Sequence, residues 1–136
     1  MLRLSLRERI AKRIERAKEN IFLPREFRDL GGEDQVLRGL RELVREKRLV
    51  RLGYGVYGKA FVSRLTGEPV LAGAGGFIAA ARQTLDKLGI PWDITAAEKA
   101  YNEGRTTQVP ANAVIRIKGR FRRKLALRNT ELRIEH

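Results

Sequence analysis

The stretch Gly53-Tyr54-Gly55-Val56-Tyr57-Gly58, GYGVYG, has the spelling G-x-G-x-x-G, and whether it opens a helix or turns a hairpin decides the fold. In a dinucleotide-binding loop the last glycine leads into a helix whose N-terminus faces the pyrophosphate, with an acidic residue about 20 positions on. Here Lys59-Ala60-Phe61-Val62 follows, made of strand-forming residues, and the chain soon reaches Gly67 and Pro69. No helix can begin in register. Tyr54 and Tyr57 would also crowd a loop meant to bring its backbone against phosphates. The stretch therefore reads as a β-hairpin, entered through Leu49, Val50 and Leu52, with its glycines at the bend.

Upstream of the hairpin the pattern is helical. Ser5-Leu6-Arg7-Glu8 spells a capping box, in which the Ser and Glu side chains cover each other's free amides. From there Leu6, Ile10, Ile14, Ala17 and Ile21 recur at helical spacing, and Arg7, Arg9, Lys12, Arg13, Arg16 and Lys18 fill the rest of the cylinder. Pro24 suits the first turn of a short second helix, which Leu30-Gly31-Gly32 would end with a positive φ. A third helix is expected over 33–46, with Glu33 and Asp34 at its positive end and Val36, Leu37, Leu40, Leu43 and Val44 as its buried stripe.

Three helices followed by a two-stranded wing describe a winged helix-turn-helix, whose third helix enters the DNA major groove. Its outward Gln35, Arg38, Arg41 and Arg45 are of the chemical types that read base edges, since Arg can bond both acceptors of guanine and Gln both groups of adenine. Arg48, Arg51, Tyr54 and Lys59 would hold the phosphate backbone. A three-helix bundle with a hairpin also serves protein contacts, so this order of elements alone leaves a protein-binding module open.

Beyond Thr66-Gly67-Glu68-Pro69 the patterning changes, which places a boundary between residues 1–66 and 67–136. An apolar helix is expected over 75–88, packing through Phe77, Ile78, Ala81, Leu85 and Leu88. The glycines before it, Gly73, Gly75 and Gly76, match neither the dinucleotide fingerprint nor the P-loop. A short helix over 95–102 and three strands, 113–117, 124–128 and 131–135, complete the chain, the last two joined by a tight turn at Asn129-Thr130. The fold class is thus α+β: an N-terminal winged helix followed by a small α+β subdomain with antiparallel strands. Between the first two of these strands, Lys118-Gly119-Arg120-Phe121-Arg122-Arg123-Lys124 makes a basic turn in which Arg120, Arg122 and Arg123 suit a phosphate backbone or a stacked base.

Composition limits the chemistry. The 136 residues carry 29 Lys+Arg against 16 Asp+Glu, a formal charge of +13 that attracts polyanions. With no cysteine, thiolate catalysis has no residue to work with, and with His136, the last residue, as the single histidine, histidine-dependent catalysis is not expected. Asp86, Asp93, Glu98 and Glu103 are scattered without a paired or metal-spaced arrangement, so neither an enzyme, a metal site nor a cofactor is expected. Arginines interrupt Leu2, Leu4 and Leu6, and the apolar run 70–81 is too short to span a bilayer. A cytoplasmic protein without membrane contact is the expectation.

Four phrases carry a family resemblance: Ile21-Phe22-Leu23-Pro24-Arg25-Glu26-Phe27, Leu40-Arg41-Glu42-Leu43-Val44, Gly55-Val56-Tyr57 and Thr106-Thr107-Gln108-Val109-Pro110-Ala111. Together the chain resembles small proteins grouped with AbiEi-type antitoxins. The resemblance implies a winged helix closed by the Gly-x-Tyr phrase, C-terminal strands after Thr-Gln-x-Pro, and an antitoxin-like autorepressor of a toxin-antitoxin or abortive-infection locus. Double-stranded DNA and a cognate nucleotidyltransferase-like toxin are the partners it implies; the second half would carry dimerisation with a second copy of the chain, toxin contact or further DNA contact. The chain departs from the pattern at Tyr54, where a basic residue is common, and at Lys47, where a glycine often ends the third helix. RNA binding stays open beside these readings, because Tyr54, Tyr57 and Phe121 could stack on bases.

Overall fold

In the computed structural model, which describes residues 3–136, GYGVYG turns a hairpin; Leu2 lies outside the described residues. Strands β2 (Leu49–Gly53) and β3 (Val56–Val62) pair antiparallel, with Arg51 opposite Tyr57 and Gly53 opposite Val56. Tyr54 and Gly55 form the turn, and only Gly55, at φ +66°, uses the left-handed freedom of glycine. The expectation that all three glycines sit at the bend is corrected here. Gly53 and Gly58 lie within strands and admit neighbouring chain: a Cβ on Gly58 would come within 2.7 Å of Leu71 Cδ2, and one on Gly53 within 2.5 Å of the Lys124 carbonyl oxygen.

Helix α1 (Leu6–Arg16) starts where Ser5 Oγ accepts the Glu8 amide at 3.2 Å. The return half of the capping box is absent, because the Glu8 carboxylate faces Arg7 and Arg48 instead. Ile21 does not extend this helix. It opens a two-residue strand, β1 (Ile21–Phe22), that joins the outer edge of β3, Ile21 opposite Gly58. The second helix shortens to a 3₁₀ turn over Pro24–Phe27, steadied by the Glu26 carboxylate, which accepts the Leu23 amide at 2.7 Å. Neither Gly31 nor Gly32 takes a positive φ; at Gly31 a Cβ would press on Leu6 Cδ2 at 3.0 Å, so close packing is its use. Helix α2 (Glu33–Arg45) buries Val36, Gly39, Leu40 and Leu43.

A second missed strand, β4 (Pro69–Leu71), pairs with the far end of β3, Ala60 opposite Leu71. The boundary expected at 66/67 falls in the turn that returns the chain to this sheet. The four strands form a middle layer covered on both faces except at the end of β3, where Phe61 and Val62 are exposed. On one side Phe22, Leu49 and Tyr57 pack with Ile10, Ile14, Phe27, Val36, Leu40 and Leu43. On the other, Ile21, Leu23, Val50, Leu52 and Val56 pack with Ala81, Leu85, Ile115, Ile117, Leu125 and Leu132.

That second layer contains α3 (Gly76–Leu88), flanked by left-handed Gly75 and Gly89, and α4 (Ala96–Asn102), capped by Thr95 Oγ1 accepting the Glu98 amide. Its strands differ from expectation in pairing. β5 (Val114–Arg116) runs parallel to β8 (Arg133–Glu135), while β6 (Ala126–Leu127) pairs antiparallel with β7 (Thr130–Glu131). The turn between β6 and β7 is Arg128-Asn129, with Arg128 at φ +56°. Since β5 and β6 belong to different sheets, the basic segment 118–124 is a connecting coil and no hairpin tip. The fold is mixed α+β, and none of its helices, among the described residues, is long and apolar enough to cross a membrane.

Candidate nucleic-acid interface

At about 100° per residue, Arg38, Arg41 and Arg45 leave α2 within one arc, opposite the buried Val36, Leu40 and Leu43. All three are exposed. Among the described residues none of them has an ion pair or a side-chain hydrogen bond, whereas Arg7, Arg13, Arg48, Arg82 and Lys87 each meet a carboxylate. Asp34 shares the arc at the first turn. Gln35 lies on its flank, where it lines a shallow groove with Ser5, Leu6, Arg7, Arg38, Gly39 and Glu42. The structure thus brings the three arginines together and turns the glutamine toward α1.

Two residues assigned to the phosphate backbone have internal partners. The Arg48 guanidinium lies 2.9 Å from Glu15, 3.5 Å from Glu8 and 3.6 Å from Glu46, joining α1 to the end of α2. Burial alone would lower its pKa, but the hydrogen bond with Glu15 and the charges of Glu8, Glu15 and Glu46 outweigh that and raise it. Lys59 Nζ donates to the Ala17 carbonyl at 3.0 Å and closes the C-terminal end of α1. Both therefore tie the scaffold together as well: sequence shows a cation's type but not the carboxylate or carbonyl that folding brings to it.

Arg51 and Tyr54 remain at the surface. Arg51 lies on the helix-facing side of β2, its Nε donating to the Gly53 carbonyl at 3.3 Å, and Tyr54 is 83% exposed at the turn. Arg120, Arg122 and Arg123 are exposed on the connecting coil. That coil ends against the hairpin, because Lys124 O abuts Gly53 and Leu125 is buried in the same cluster as Leu52. Lys118 and Lys124, part of the same basic stretch, are exposed on the coil as well, and sequence reading missed Arg116, exposed at the end of β5; its place two residues before Lys118, in step with Arg120 and Arg122, is the signal that would have found it.

The turn that aims α2 is tied down from both layers. Arg13 forks onto Asp29, with Nη1–Oδ1 at 2.7 Å and Nη2–Oδ2 at 2.6 Å, and also donates to the Glu26 carbonyl at 3.0 Å. This hydrogen bonding raises the Arg13 pKa and holds the Asp29 carboxyl below its usual range. From the other layer Arg25 donates to the Lys87 carbonyl at 2.8 Å, and Lys87 pairs with Glu26 at 2.6 Å and Glu19 at 3.0 Å.

The scattered carboxylates have local structural partners. Asp86 accepts from Trp92 Nε1 at 2.8 Å, Asp93 from the Ile94 amide at 2.8 Å, and Glu98 and Glu103 pair with Arg82 and Arg105. Among the described residues no three His, Cys, Asp or Glu side chains converge as metal ligands would.

No curated protein and no solved structure matched the chain. A family model does match residues 9–132, and the chain therefore belongs to the family of unknown function DUF6088.

Proposed function

We propose that the protein binds double-stranded DNA, with α2 in the major groove and the β2–β3 turn against the backbone, as an antitoxin-like regulator of its own locus. The observation that carries this reading is the set Arg38, Arg41 and Arg45: three exposed cations on one outward arc of a single helix, opposite its buried face and, among the described residues, without carboxylate partners. Leaving guanidiniums unpaired on a rigid helix preorganises their donors for guanine edges and phosphates. The order helix, helical turn, helix, hairpin supports a winged-helix use of that surface, and β1 fixes the hairpin to the helices through β3. Arg51 and Tyr54 are the hairpin residues free to take phosphate contacts. A toxin partner belongs to the same proposal on the strength of the AbiEi-like phrases, and a homodimer as a use of the second half.

Fluorescence anisotropy on the upstream DNA of the protein's own gene and on a scrambled duplex, at two salt concentrations, tests it. A preference for the native sequence that survives higher salt is expected, and Arg38→Ala should cut that preference, costing about 1–3 kcal/mol on the native duplex alone. Equal, salt-erased binding to both duplexes refutes the regulator.

A further inference from the structure

The positive charge is not spread evenly. Residues 1–66 hold 17 Lys+Arg against nine Asp+Glu, residues 67–113 hold four against five, and residues 114–136 hold eight against two. The α3–α4 region is close to neutral, and the excess returns in the last strands. There Arg116, Lys118, Arg120, Arg122 and Lys124 are exposed at every second position, with exposed Arg123 between the last two, while Ile115, Ile117 and Leu125 are buried and Phe121 is half-buried against the same core. Alternate side chains of an extended chain share a side at about 6.6 Å intervals. The chain bends at Gly119, φ +91°, so the ladder turns a corner partway along.

Among the described residues none of the five has an ion pair or a side-chain hydrogen bond. With Arg123, six unpaired cations in nine residues repel one another, a cost that a solvent-facing loop gains nothing by carrying and that a polyanion removes. The inward anchors hold the cations at fixed positions. At its far end the ladder meets the hairpin: Lys124 lies against Gly53, one residue from Tyr54 and two from Arg51.

We infer that Arg116, Lys118, Arg120, Arg122 and Lys124 form a rail for the phosphodiester backbone of duplex DNA, continuing the hairpin's contact onto the flank of the site. This rests on the DNA-binding reading above and deepens it: the helix supplies sequence preference and the rail supplies sequence-independent affinity. Base identity plays no part in phosphate contacts, which release counterions and set the salt dependence.

The test replaces all five with Gln and measures affinity against salt on the native and scrambled duplexes, with far-UV circular dichroism to verify folding. A control neutralises Arg3, Arg9, Lys12, Arg16 and Lys18, which removes the same net charge from the α1 side. The rail variant should lose about three or more from the log-log salt slope on both duplexes, at roughly 0.9 per phosphate, and keep the wild-type ratio between them. An unchanged slope, an equal drop in the control, or a drop seen only with single-stranded RNA overturns the rail. Loss of sequence preference in the wild-type protein is read from the duplex ratio instead, so failure of the regulator reading and failure of the rail are separate results.

Discussion

At the scale of single residues, Lys47 shows how a departure from a family pattern acquires a physical meaning. It follows the last residues of α2 at φ +64°, a left-handed position that costs an L side chain roughly 1–2 kcal/mol and a glycine almost nothing. Its Nζ recovers part of that through a 2.8 Å bond to the Gly67 carbonyl. Lys47→Gly is expected to raise stability by about 0.5–1 kcal/mol in urea unfolding, since relief of the left-handed strain exceeds one exposed hydrogen bond and the added freedom of the unfolded chain. A lower urea midpoint would mean that the Gly67 contact holds the β3–β4 turn in place. The outward arginines of α2 were legible in the sequence because helical periodicity alone settles which way they point. The internal partners of Arg48 and Lys59 were not, because Glu15 and Ala17 lie 33 and 42 residues away.

At the scale of elements, legibility followed length. The 13-residue α2 and the 13-residue α3 each carry several turns of periodic pattern, and their expected and observed limits agree to within a residue. β1 has two residues and β4 three, too few to show alternation; both exist because β3 offers an edge to pair with. The parallel pairing of β5 with β8 was equally hidden, since it follows from where the shared core places Ile115 and Ile134 and not from any turn signal. Gly53 joins two of these elements. Its φ is not left-handed, so alanine would suit its backbone, yet the added methyl would meet the Lys124 carbonyl at 2.5 Å. Gly53→Ala should destabilise the protein by about 1–3 kcal/mol, measured as a lowered urea midpoint, because one backbone must retreat from the other. A neutral effect would show that the coil is free to lift from the hairpin.

At the scale of the molecule, the central sheet makes the two halves interdependent. The second-layer cluster contains Ile21, Leu23, Val50, Leu52 and Val56 from the first half, so unfolding the C-terminal half alone would bare five apolar side chains. The single tryptophan, Trp92, packs against that cluster, while most helical residues of the first half lie on the opposite side of the sheet. Unfolding followed by Trp92 fluorescence and by far-UV ellipticity should therefore give one coincident transition. Two separated midpoints would mean that the layers fold independently. Sequence pattern located the change of grammar near residue 66 but could not reveal that the chain crosses back into the same sheet, because a boundary in composition carries no information about pairing.

A sheet covered on both faces also limits how this protein can diversify. Most side chains of β2 answer to one core or the other, and a change there must be matched in a different layer of the chain. Tyr54 at the turn, Arg51 beside it and the outward arginines of α2 answer to neither. New binding preferences can arise at these few positions by single substitutions, with the scaffold beneath them left as it is.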